Sequence, residues 1–500
     1  MNLYVTIINL IFKLNLIVCY EKINWGKNMP ENKKLFGTSG IRGKVEDEVT
    51  VNLALNVGKA LATYLNKKEK GKKDVVIGYD TRTTNEMLEN AITAGLLESG
   101  CNVLKIGMVP TPLVGYAVDK LKTSAGVMLT ASHNPSEYNG IKIWNKNGMA
   151  YTPSQEEEIE KIYYSEKFRE VGWENIGEIY HIEEIKQKYM DDLLNAVDTD
   201  IIKNAKLKVV LDPASGAGSE ISPLIIRMAG CEIITLNSQL DGFFPGRNPE
   251  PNEANLQDLM KVVANSDADI GIAHDGDADR MMAIDENGRI SAFDKLLAIM
   301  SKYMVEKSEN KSGETNSLSK KVITTVDAGL CMDESLKDVG GEVIRTKVGD
   351  VNVAESIIEE DAIFGGEPSG TWIYPDFCMC PDGILSAIRI IEVVAKKGKL
   401  SKLLDDIPNY TSIREKIICS KEAKIKVMEN MEELLIDAFG DIVNVNSIDG
   451  VRIAFEDGSW VLVRPSGTED YVRITLEGKT PERAEFIKDT SAKIINENLN

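Results

Sequence analysis

The sequence predicts an α/β protein with three related α/β domains, whose sheets are mixed and largely parallel, followed by a smaller C-terminal α+β domain. A strand–helix–strand pattern occurs three times, its strands are short runs of β-branched residues, and the patterning becomes alternating after residue 450. Five hundred residues are also more than one hydrophobic core usually serves, so length alone predicts several domains.

Each repeated unit starts with an apolar run that ends near an aspartate, continues with a helical stretch, and closes with a glycine and a second strand. The three copies begin at DVVIGYDTR (74–82), LKVVLDPASGAGS (207–219) and KKVITTVDAG (320–329). Consecutive Val and Ile residues fit strands that are buried on both faces. The polar run 306–321 predicts an insertion loop before the third copy.

The C-terminal part has a different pattern. Residues 450–478 alternate apolar and polar positions around Asp-Gly turns, which predicts antiparallel hairpins, and residues 480–499 predict an amphipathic helix. We therefore expect domains at 29–186, 187–291, 292–408 and 409–500, arranged around a central cleft.

Charge and cysteine usage limit the function classes. The 58 basic and 78 acidic residues give a formal charge of −20, which argues against a general nucleic-acid binder. An anionic substrate would need local arginines, lysines and backbone N–H groups, because the overall field repels it. Seven scattered cysteines without a CxxC pair predict reduced thiols and a cytoplasmic location.

The first 28 residues are apolar but interrupted by Lys13, with neither a basic leader nor a small-residue cleavage site. They make a poor signal peptide and a marginal membrane span. We expect a translated extension upstream of Met29 or a disordered tail, and no membrane association.

One stretch, VMLTASHNPSEYNGIK (127–142), places Ser132 and His133 in a small polar loop. Asn-Pro and Asn-Gly are turn signals, so this stretch alone favours a surface turn over a nucleophile loop. A hydrolase pair of these two residues is disfavoured, because adjacent side chains point apart and no Gly-x-Ser-x-Gly elbow is present.

A second stretch, IGIAHDGDADRMMAID (270–285), carries Asp275, Asp277 and Asp279 at alternate positions. We expect an extended backbone to direct these carboxylates to one side. Hard oxygen ligands at this spacing suit Mg²⁺, whereas the glycine and glutamate offsets of a calcium EF-hand are missing. A solvated acidic turn is the alternative.

Two further loops are candidate ligand sites. In FGGEPSGTWIYP (364–375), Glu367 and Ser369 lie among glycines, where a carboxylate and a hydroxyl can meet sugar hydroxyl groups; glycine-rich turns are common, so this signal is weak alone. In RPSGTEDYVRI (464–474), a guanidinium, two hydroxyls and backbone N–H groups are what a phosphate dianion requires. A plain β-turn is the alternative there.

Five motifs occur in the order GTSGIRG (37–43), TASHNP (130–135), DGDADR (275–280), GGEPSG (365–370) and RPSGTE (464–469). In this order the chain resembles the α-D-phosphohexomutase superfamily, which includes phosphoglucomutases, phosphomannomutases and phosphoglucosamine mutases. The resemblance extends from about Lys34 to the C terminus. It implies an isomerase that moves a phosphoryl group within a hexose or hexosamine phosphate.

The resemblance also implies a role for each motif. Ser132 would be a phosphoserine and, with Asp275, Asp277 and Asp279, would hold one Mg²⁺. Arg42 and Lys142 would be basic groups beside it, Lys142 as the proton-transfer candidate, and His133 would brace the loop. The phosphoserine, metal, sugar and phosphate sites would fall in the four expected domains in that order. The substrate-binding residues would be Arg280, Asp350, Glu367, Ser369, Arg464, Ser466, Gly467, Thr468 and Arg473.

The same resemblance implies a hexose 1,6-bisphosphate as priming activator, and we expect a monomer or homodimer. One departure is Gly370-Thr371, where many members have Gly-His; the only histidines here are His133, His181 and His274. This departure keeps a non-catalytic sugar-phosphate-binding protein as an alternative.

Substrate signals are mixed. TKVGD (346–350) is similar to phosphoglucosamine mutases, whereas DGFFPGRNPEPNEANL (241–256) is closer to the mannose and glucose branch. We favour glucosamine phosphate, with mannose or glucose phosphates as the alternative. A cationic amine at C2 would favour an acidic neighbour such as Asp350 or Glu367.

Overall fold

The structure is a computed structural model that describes residues 34–37, 39–68, 70–311, 319–466 and 470–499. The expected extension at residues 1–28 lies outside these ranges. The described helices and strands form four sheets. Among those helices, none has both the length and the hydropathy of a membrane span.

The first sheet has six strands in the order β1-β5-β4-β2-β3-β6, with β2 parallel to both β3 and β4. Alternate residues of β2 point to two hydrophobic clusters on opposite faces, which explains its continuous apolar run. The elements of this region are β1 (Ile41–Lys44), α1 (Val51–Lys68), β2 (Lys73–Tyr79), α2 (Asn85–Glu98), β3 (Cys101–Met108), α3 (Thr111–Leu121), β4 (Ala125–Leu129), β5 (Tyr138–Asn145), α4 (Pro153–Ser165), β6 (Ile179–His181) and α5 (Glu184–Ala196).

The second sheet has four strands in the order β10-β9-β7-β8, and β7 is parallel to both β8 and β9. The last strand, β10, returns antiparallel to β9 through a turn of six residues, 275–280. The elements are α6 (Thr199–Ala205), β7 (Lys208–Asp212), α7 (Ser222–Met228), β8 (Glu232–Thr235), α8 (Gln257–Asn265), β9 (Ile270–His274) and β10 (Met281–Asp285).

The third sheet has five strands in the order β12-β11-β13-β14-β15, with β11 parallel to β12 and β13 and an antiparallel hairpin at the other edge. The elements are α9 (Phe293–Lys311), β11 (Lys321–Thr325), α10 (Cys331–Lys337), β12 (Glu342–Thr346), α11 (Asp350–Glu360), β13 (Phe364–Gly366), β14 (Trp372–Tyr374), β15 (Cys378–Pro381), α12 (Gly383–Lys397) and α13 (Leu400–Asp405).

The fourth sheet is antiparallel throughout, in the order β16-β20-β19-β18-β17, as the alternating pattern predicts. Three helices accompany it, and α16 packs on the sheet through Ala484, Ile487 and Ile495. The elements are β16 (Thr411–Ile418), α14 (Lys421–Glu429), α15 (Met431–Ala438), β17 (Ile442–Asn446), β18 (Val451–Phe455), β19 (Trp460–Pro465), β20 (Tyr471–Gly478) and α16 (Pro481–Asn498).

Hydrophobic packing divides the molecule unequally. One large cluster joins residues from the first three sheets, including Val76, Val209 and Phe364. The fourth sheet has its own core, and the small cluster of Val326, Trp460 and Leu462 connects it to the third. The three α/β layers therefore share an interior that the C-terminal part does not enter.

The expected insertion loop at 306–321 is wrong for its first residues, because α9 continues to Lys311. Glu306 lies 2.7 Å from Lys397, and Lys307 lies 3.2 Å from Glu392, so ion pairs to α12 stabilise this end of the helix. Residues 312–318 lie outside the described ranges. Six cysteines are described, and all six are free thiols, as expected.

Candidate active site

A cavity of about 530 Å³ opens where the four sheets meet, and every sheet contributes residues to its wall. The wall contains most of the residues that the sequence singled out. Those residues are Arg42, Ser132, His133, Asp279, Arg280, Asp350, Glu367, Ser369, Arg464, Ser466 and Arg473.

Ser132 lies in the loop between β4 and β5, with only 1% of its surface exposed. Its backbone has φ +50°, a left-handed conformation that is rare for residues other than glycine. The Ser132 N–H donates to Thr130 Oγ1 at 2.8 Å, and the Ser132 hydroxyl donates to Asp275 Oδ2 at 2.7 Å. The loop is thus a buried, strained turn that directs a hydroxyl towards the second sheet.

The three aspartates lie in the turn between β9 and β10, so the expected extended backbone is wrong. Ala278 has φ +56°, and this left-handed residue folds the chain back on itself. One carboxylate oxygen of each aspartate lies within 4.8 Å of one from the other two, so the carboxylates converge despite the bend. Alternation along a strand predicted the right residues for the wrong reason.

This donor set fits a hard divalent cation. The residues Asp275, Asp277 and Asp279 are buried, and at most 6% of the surface of any of them is exposed. The Oδ1 atoms of Asp277 and Asp279 are buried, and neither has a hydrogen-bond partner among the described residues. A buried anionic oxygen without a partner is costly, and a Mg²⁺ ion would satisfy both.

Lys142 lies on β5 of the first sheet and contacts the aspartate trio of the second. Its Nζ lies 3.1 Å from Asp277 Oδ2 and 2.9 Å from Asp279 Oδ2. Thr111, the first residue of α3, donates a hydrogen bond from its hydroxyl to Asp277 Oδ2 at 2.6 Å. Together with the Ser132–Asp275 hydrogen bond, these contacts fasten the first sheet to the second.

Buried charges shift the pKa values in this cluster. Burial and the neighbouring aspartates raise the pKa of Asp275. Burial also works against ionised Asp277, but Lys142 and Thr111 outweigh it and lower its pKa. For Lys142, burial opposes the charge, yet Asp277 and Asp279 hold its pKa above the ordinary value. The ion pairs therefore keep this lysine cationic. Proton transfer by Lys142 near neutral pH would require a lowered pKa instead.

His133 follows Ser132, and its Nδ1 lies 3.3 Å from the Ser132 hydroxyl. Burial, together with Arg280 and Arg42, lowers its pKa to about 3. The ring is therefore neutral at physiological pH. Arg42 lies across the loop and donates to Asn134 Oδ1 at 3.3 Å, while burial lowers its pKa.

The third sheet contributes Glu367, which lies in the loop after β13. Glu367 Oε1 accepts from the Gly349 N–H at 2.8 Å, and Oε2 accepts from the Thr371 hydroxyl at 3.0 Å. Ser369 lies 2.8 Å from that same hydroxyl. Burial, Asp350 and Asp327 raise the pKa of Glu367 to about 7. Thr371, at the position of the family histidine, thus holds the carboxylate of this loop.

The fourth sheet contributes arginines on adjacent strands. Arg464 and Arg473 are directly opposed across β19 and β20. The Arg464 Nε lies 2.9 Å from Asp449, and Arg473 donates to the Tyr471 hydroxyl at 2.8 Å. Facing guanidinium groups repel unless an anion lies between them, so this wall suits a phosphate. The predicted residues Gly467 and Thr468 lie outside the described ranges.

The chain is similar to known proteins in each of its four parts. Models of phosphoglucomutase/phosphomannomutase domains match in order: alpha/beta/alpha domain I at 33–170, domain II at 187–288, domain III at 292–410, and the C-terminal domain at 422–494. A probable phosphoglucosamine mutase of Methanobrevibacter smithii is 67% identical over 93% of this chain and 99% of its own length. The chain belongs to the phosphoglucomutase/phosphomannomutase family.

Two other members of the family are informative. The phosphoglucosamine mutase of Methanocaldococcus jannaschii is 46% identical over 93% of this chain and 99% of its own length. The crystal structure of a Burkholderia thailandensis family protein superposes with a TM-score of 0.82 at 25% identity, covering 93% of this chain and 98% of that one. The four-domain architecture expected from the sequence is confirmed.

Sequence reasoning missed several residues of this cavity. Arg414 lies on β16, two residues before Lys416, which is paired directly with Arg473 on β20. Residues two apart on a strand point to the same face, so Arg414 and Arg473 both face the cavity. No local signal marks it, because it occupies an ordinary polar position of an alternating strand. Asp327 also lines the wall, and here a signal existed, since it ends the apolar run of the third repeat.

Proposed function

We propose that this chain is a phosphoglucosamine mutase, an isomerase that interconverts glucosamine 6-phosphate and glucosamine 1-phosphate. The observation that carries the proposal is a buried serine hydroxyl 2.7 Å from one member of a carboxylate trio, within a cavity whose far wall has paired arginines. The names of the similar proteins supply the substrate class.

The reaction proceeds through phosphorylated Ser132. In the first half, the bond between Ser132 Oγ and phosphorus breaks while the free hydroxyl oxygen of the sugar phosphate bonds to phosphorus. The hydroxyl proton passes to the departing Ser132 Oγ, with Lys142 as the candidate relay, and a 1,6-bisphosphate results. The bisphosphate then turns within the cavity. The bond between the sugar oxygen and its other phosphoryl group breaks as Ser132 Oγ bonds to that phosphorus, and the serine proton passes to the sugar oxygen, which leaves the isomeric monophosphate. A hexose 1,6-bisphosphate from solution would prime an unphosphorylated enzyme.

Each side chain has a distinct task in this scheme. Asp275, Asp277 and Asp279 would hold one Mg²⁺ with an oxygen of the phosphorylated serine. When bound, the cation neutralises charge on the transferring group. Lys142 is our candidate for proton transfer, and its ion pairs must loosen first because both raise its pKa. Neutral His133 braces the loop, and Arg42 and Arg280 add positive charge.

The far wall would hold whichever phosphate is not reacting. Arg464 and Arg473 offer guanidinium groups and Ser466 a hydroxyl, and Gly467 and Thr468, which follow in the sequence, would add further donors. Ser369 and Glu367 would bind sugar hydroxyls in either orientation. The acidic residues Asp350 and Glu367 would favour the ammonium group at C2 of glucosamine.

A panel assay tests the proposal. Glucosamine, glucose and mannose 6-phosphates are each supplied with Mg²⁺ and a trace of hexose 1,6-bisphosphate, and 1-phosphate formation is measured. We expect the highest kcat/KM with the amino sugar. A preference for mannose or glucose would reassign the substrate, and phosphate release without isomer formation would contradict a mutase. The matched test of amine recognition is Asp350→His, which should lower the glucosamine-to-glucose ratio of kcat/KM.

A pH dependence follows from Glu367. Because its pKa is raised to about 7, this carboxyl is protonated below that pH and ionised above it. An ionised carboxylate attracts the ammonium group, so the KM for glucosamine 6-phosphate should fall as pH rises through about 7. The Glu367→Gln variant should lose this dependence. The dependence on substrate ionisation is common to both proteins, and an unchanged pH profile in the variant would exclude the role.

Binding of the distal phosphate gives another prediction. Arg464→Gln and Arg473→Gln should each raise KM by about 10- to 100-fold, since a hydrogen bond to a charged group contributes about 1.5–3 kcal/mol. The matched control is Arg483→Gln, because Arg483 belongs to the same region but pairs with Asp441 and Asp457 outside the cavity. Equal KM values in all three variants would argue against a phosphate site at this wall.

A further inference from the structure

Arg82 is a buried arginine that none of the assigned roles includes. Its side chain is fully buried, and all five of its N–H groups are used. The Nε donates to Asp80 at 3.2 Å. The other four donate at 2.6 to 3.0 Å to carbonyl oxygens: those of Ser132, Asn134 and Pro135 in the loop that carries Ser132, and that of Tyr138 at the start of β5.

A second buried arginine, Arg247, has the same relation to the aspartate turn. Its Nε lies 3.0 Å from Asp212 Oδ1, and one terminal nitrogen donates at 2.7 Å to the carbonyl oxygen of His274. His274 directly precedes Asp275. The same nitrogen donates to the carbonyl oxygen of Asp212 at 3.1 Å, and the other terminal nitrogen donates to those of Asn248 and Pro249 at 3.0 and 3.1 Å. The guanidinium therefore also stabilises the loop in which Arg247 itself lies.

The two arrangements occupy equivalent places in the repeat. Asp80 follows β2, and Asp212 ends β7, and each of these strands lies between two parallel neighbours. The loop that Arg82 holds follows β4, and the turn that Arg247 holds follows β9, which are the corresponding neighbours. In the first two repeats, the aspartate at the end of the apolar run thus orients an arginine towards the adjacent reactive loop.

We propose that Arg82 and Arg247 are positioning residues that set the distance between Ser132 and the aspartate trio. The proposal rests on the proposed function. Several carbonyl oxygens converge on each guanidinium, whose planar arrangement of five N–H donors can bind all of them at once. The ammonium group of a lysine has only three N–H donors and could not. Ser132 has a strained left-handed backbone, which persists because surrounding contacts fix it. Loss of either guanidinium would leave the loop that it binds free to move.

The test uses conservative variants that keep the charge. Arg82→Lys should lower kcat by about 100-fold with little change in KM, since a displacement near 1 Å can cost that much. Arg247→Lys should raise the Mg²⁺ concentration for half-activation by about 10-fold, as expected for a group that orients metal ligands. If the lysine variant at position 82 does not fold, Arg82→Gly with added methylguanidinium should recover activity in a dose-dependent way.

The matched control is Arg389→Lys. Arg389 is also buried, at 1% exposure, and pairs with Glu392 at 3.1 Å, but it lies on α12 and contacts neither loop. We expect it to lower Tm without changing kcat or the Mg²⁺ requirement. If Arg82→Lys and Arg247→Lys behave like this control, the positioning role is wrong. Wild-type protein without phosphoserine and without mutase activity would instead contradict the proposed function.

Discussion

Replacing Ser132 with alanine should abolish mutase activity, lowering kcat by at least about 10⁴-fold, because the variant has no group that can store the phosphoryl group between half-reactions. Incubation with glucose 1,6-bisphosphate followed by intact-protein mass measurement should add one phosphoryl group to the wild-type protein and none to the variant. Peptide mapping should place the group on Ser132.

A matched control separates chemistry from packing. Ser301 is also a fully buried serine, but it lies on α9, and its hydroxyl has no hydrogen-bond partner among the described residues. Ser301→Ala should retain both activity and phosphorylation. Normal turnover by Ser132→Ala would exclude the phosphoserine mechanism altogether.

Removal of a trio carboxylate should have the second largest effect. Asp277→Asn should lower kcat by about 10³-fold and weaken activation by Mg²⁺, because a metal ion supplies several kcal/mol of charge stabilisation to phosphoryl transfer. In the wild-type protein, a chelator should remove activity and added Mg²⁺ should restore it. Titration of Mg²⁺ against kcat in both proteins measures the effect.

The control for this substitution is Asp285→Asn. Asp285 is equally buried and lies at the end of β10, where it pairs with Arg289 at 2.7 Å outside the trio. We expect lower stability in this variant and an unchanged Mg²⁺ requirement. A chelator-resistant wild type, or equal Mg²⁺ curves for both variants, would show that the trio does not hold the cation.

The sequence predicted the layers better than the loops. Continuous Val and Ile runs specify buried parallel strands, and all three repeats form such strands. The turn at 275–280 was predicted as extended because residue identity does not reveal the left-handed backbone of Ala278. Similarly, polar composition at 306–311 concealed a helix that ion pairs to α12 stabilise.

The pKa shifts of buried groups and the register of distant strands were the features hardest to predict from the sequence. The position of Lys142 in the sequence gives no hint that two carboxylates raise its pKa, whereas proton transfer near neutral pH would need a lowered one. Arg414 joins the cavity only through strand pairing with β20, which depends on the register of two distant segments. Arg82 was visible within the first repeat, but its contacts require the folded loop.

The separate core of the C-terminal sheet has a mechanical consequence. Hydrogen bonds and ion pairs from Ser132, Thr111 and Lys142 clamp the reacting end of the cavity, and the shared interior of three sheets backs it. The opposite wall belongs to a sheet with a core of its own, which joins the third sheet's region through a small apolar cluster and the hydrogen bonds that Glu477 and Asp449 accept from Leu330 and Val348. The bisphosphate needs room to reorient between the two half-reactions. We therefore expect the C-terminal domain to rotate outward to provide that room, while the reacting end of the cavity stays fixed.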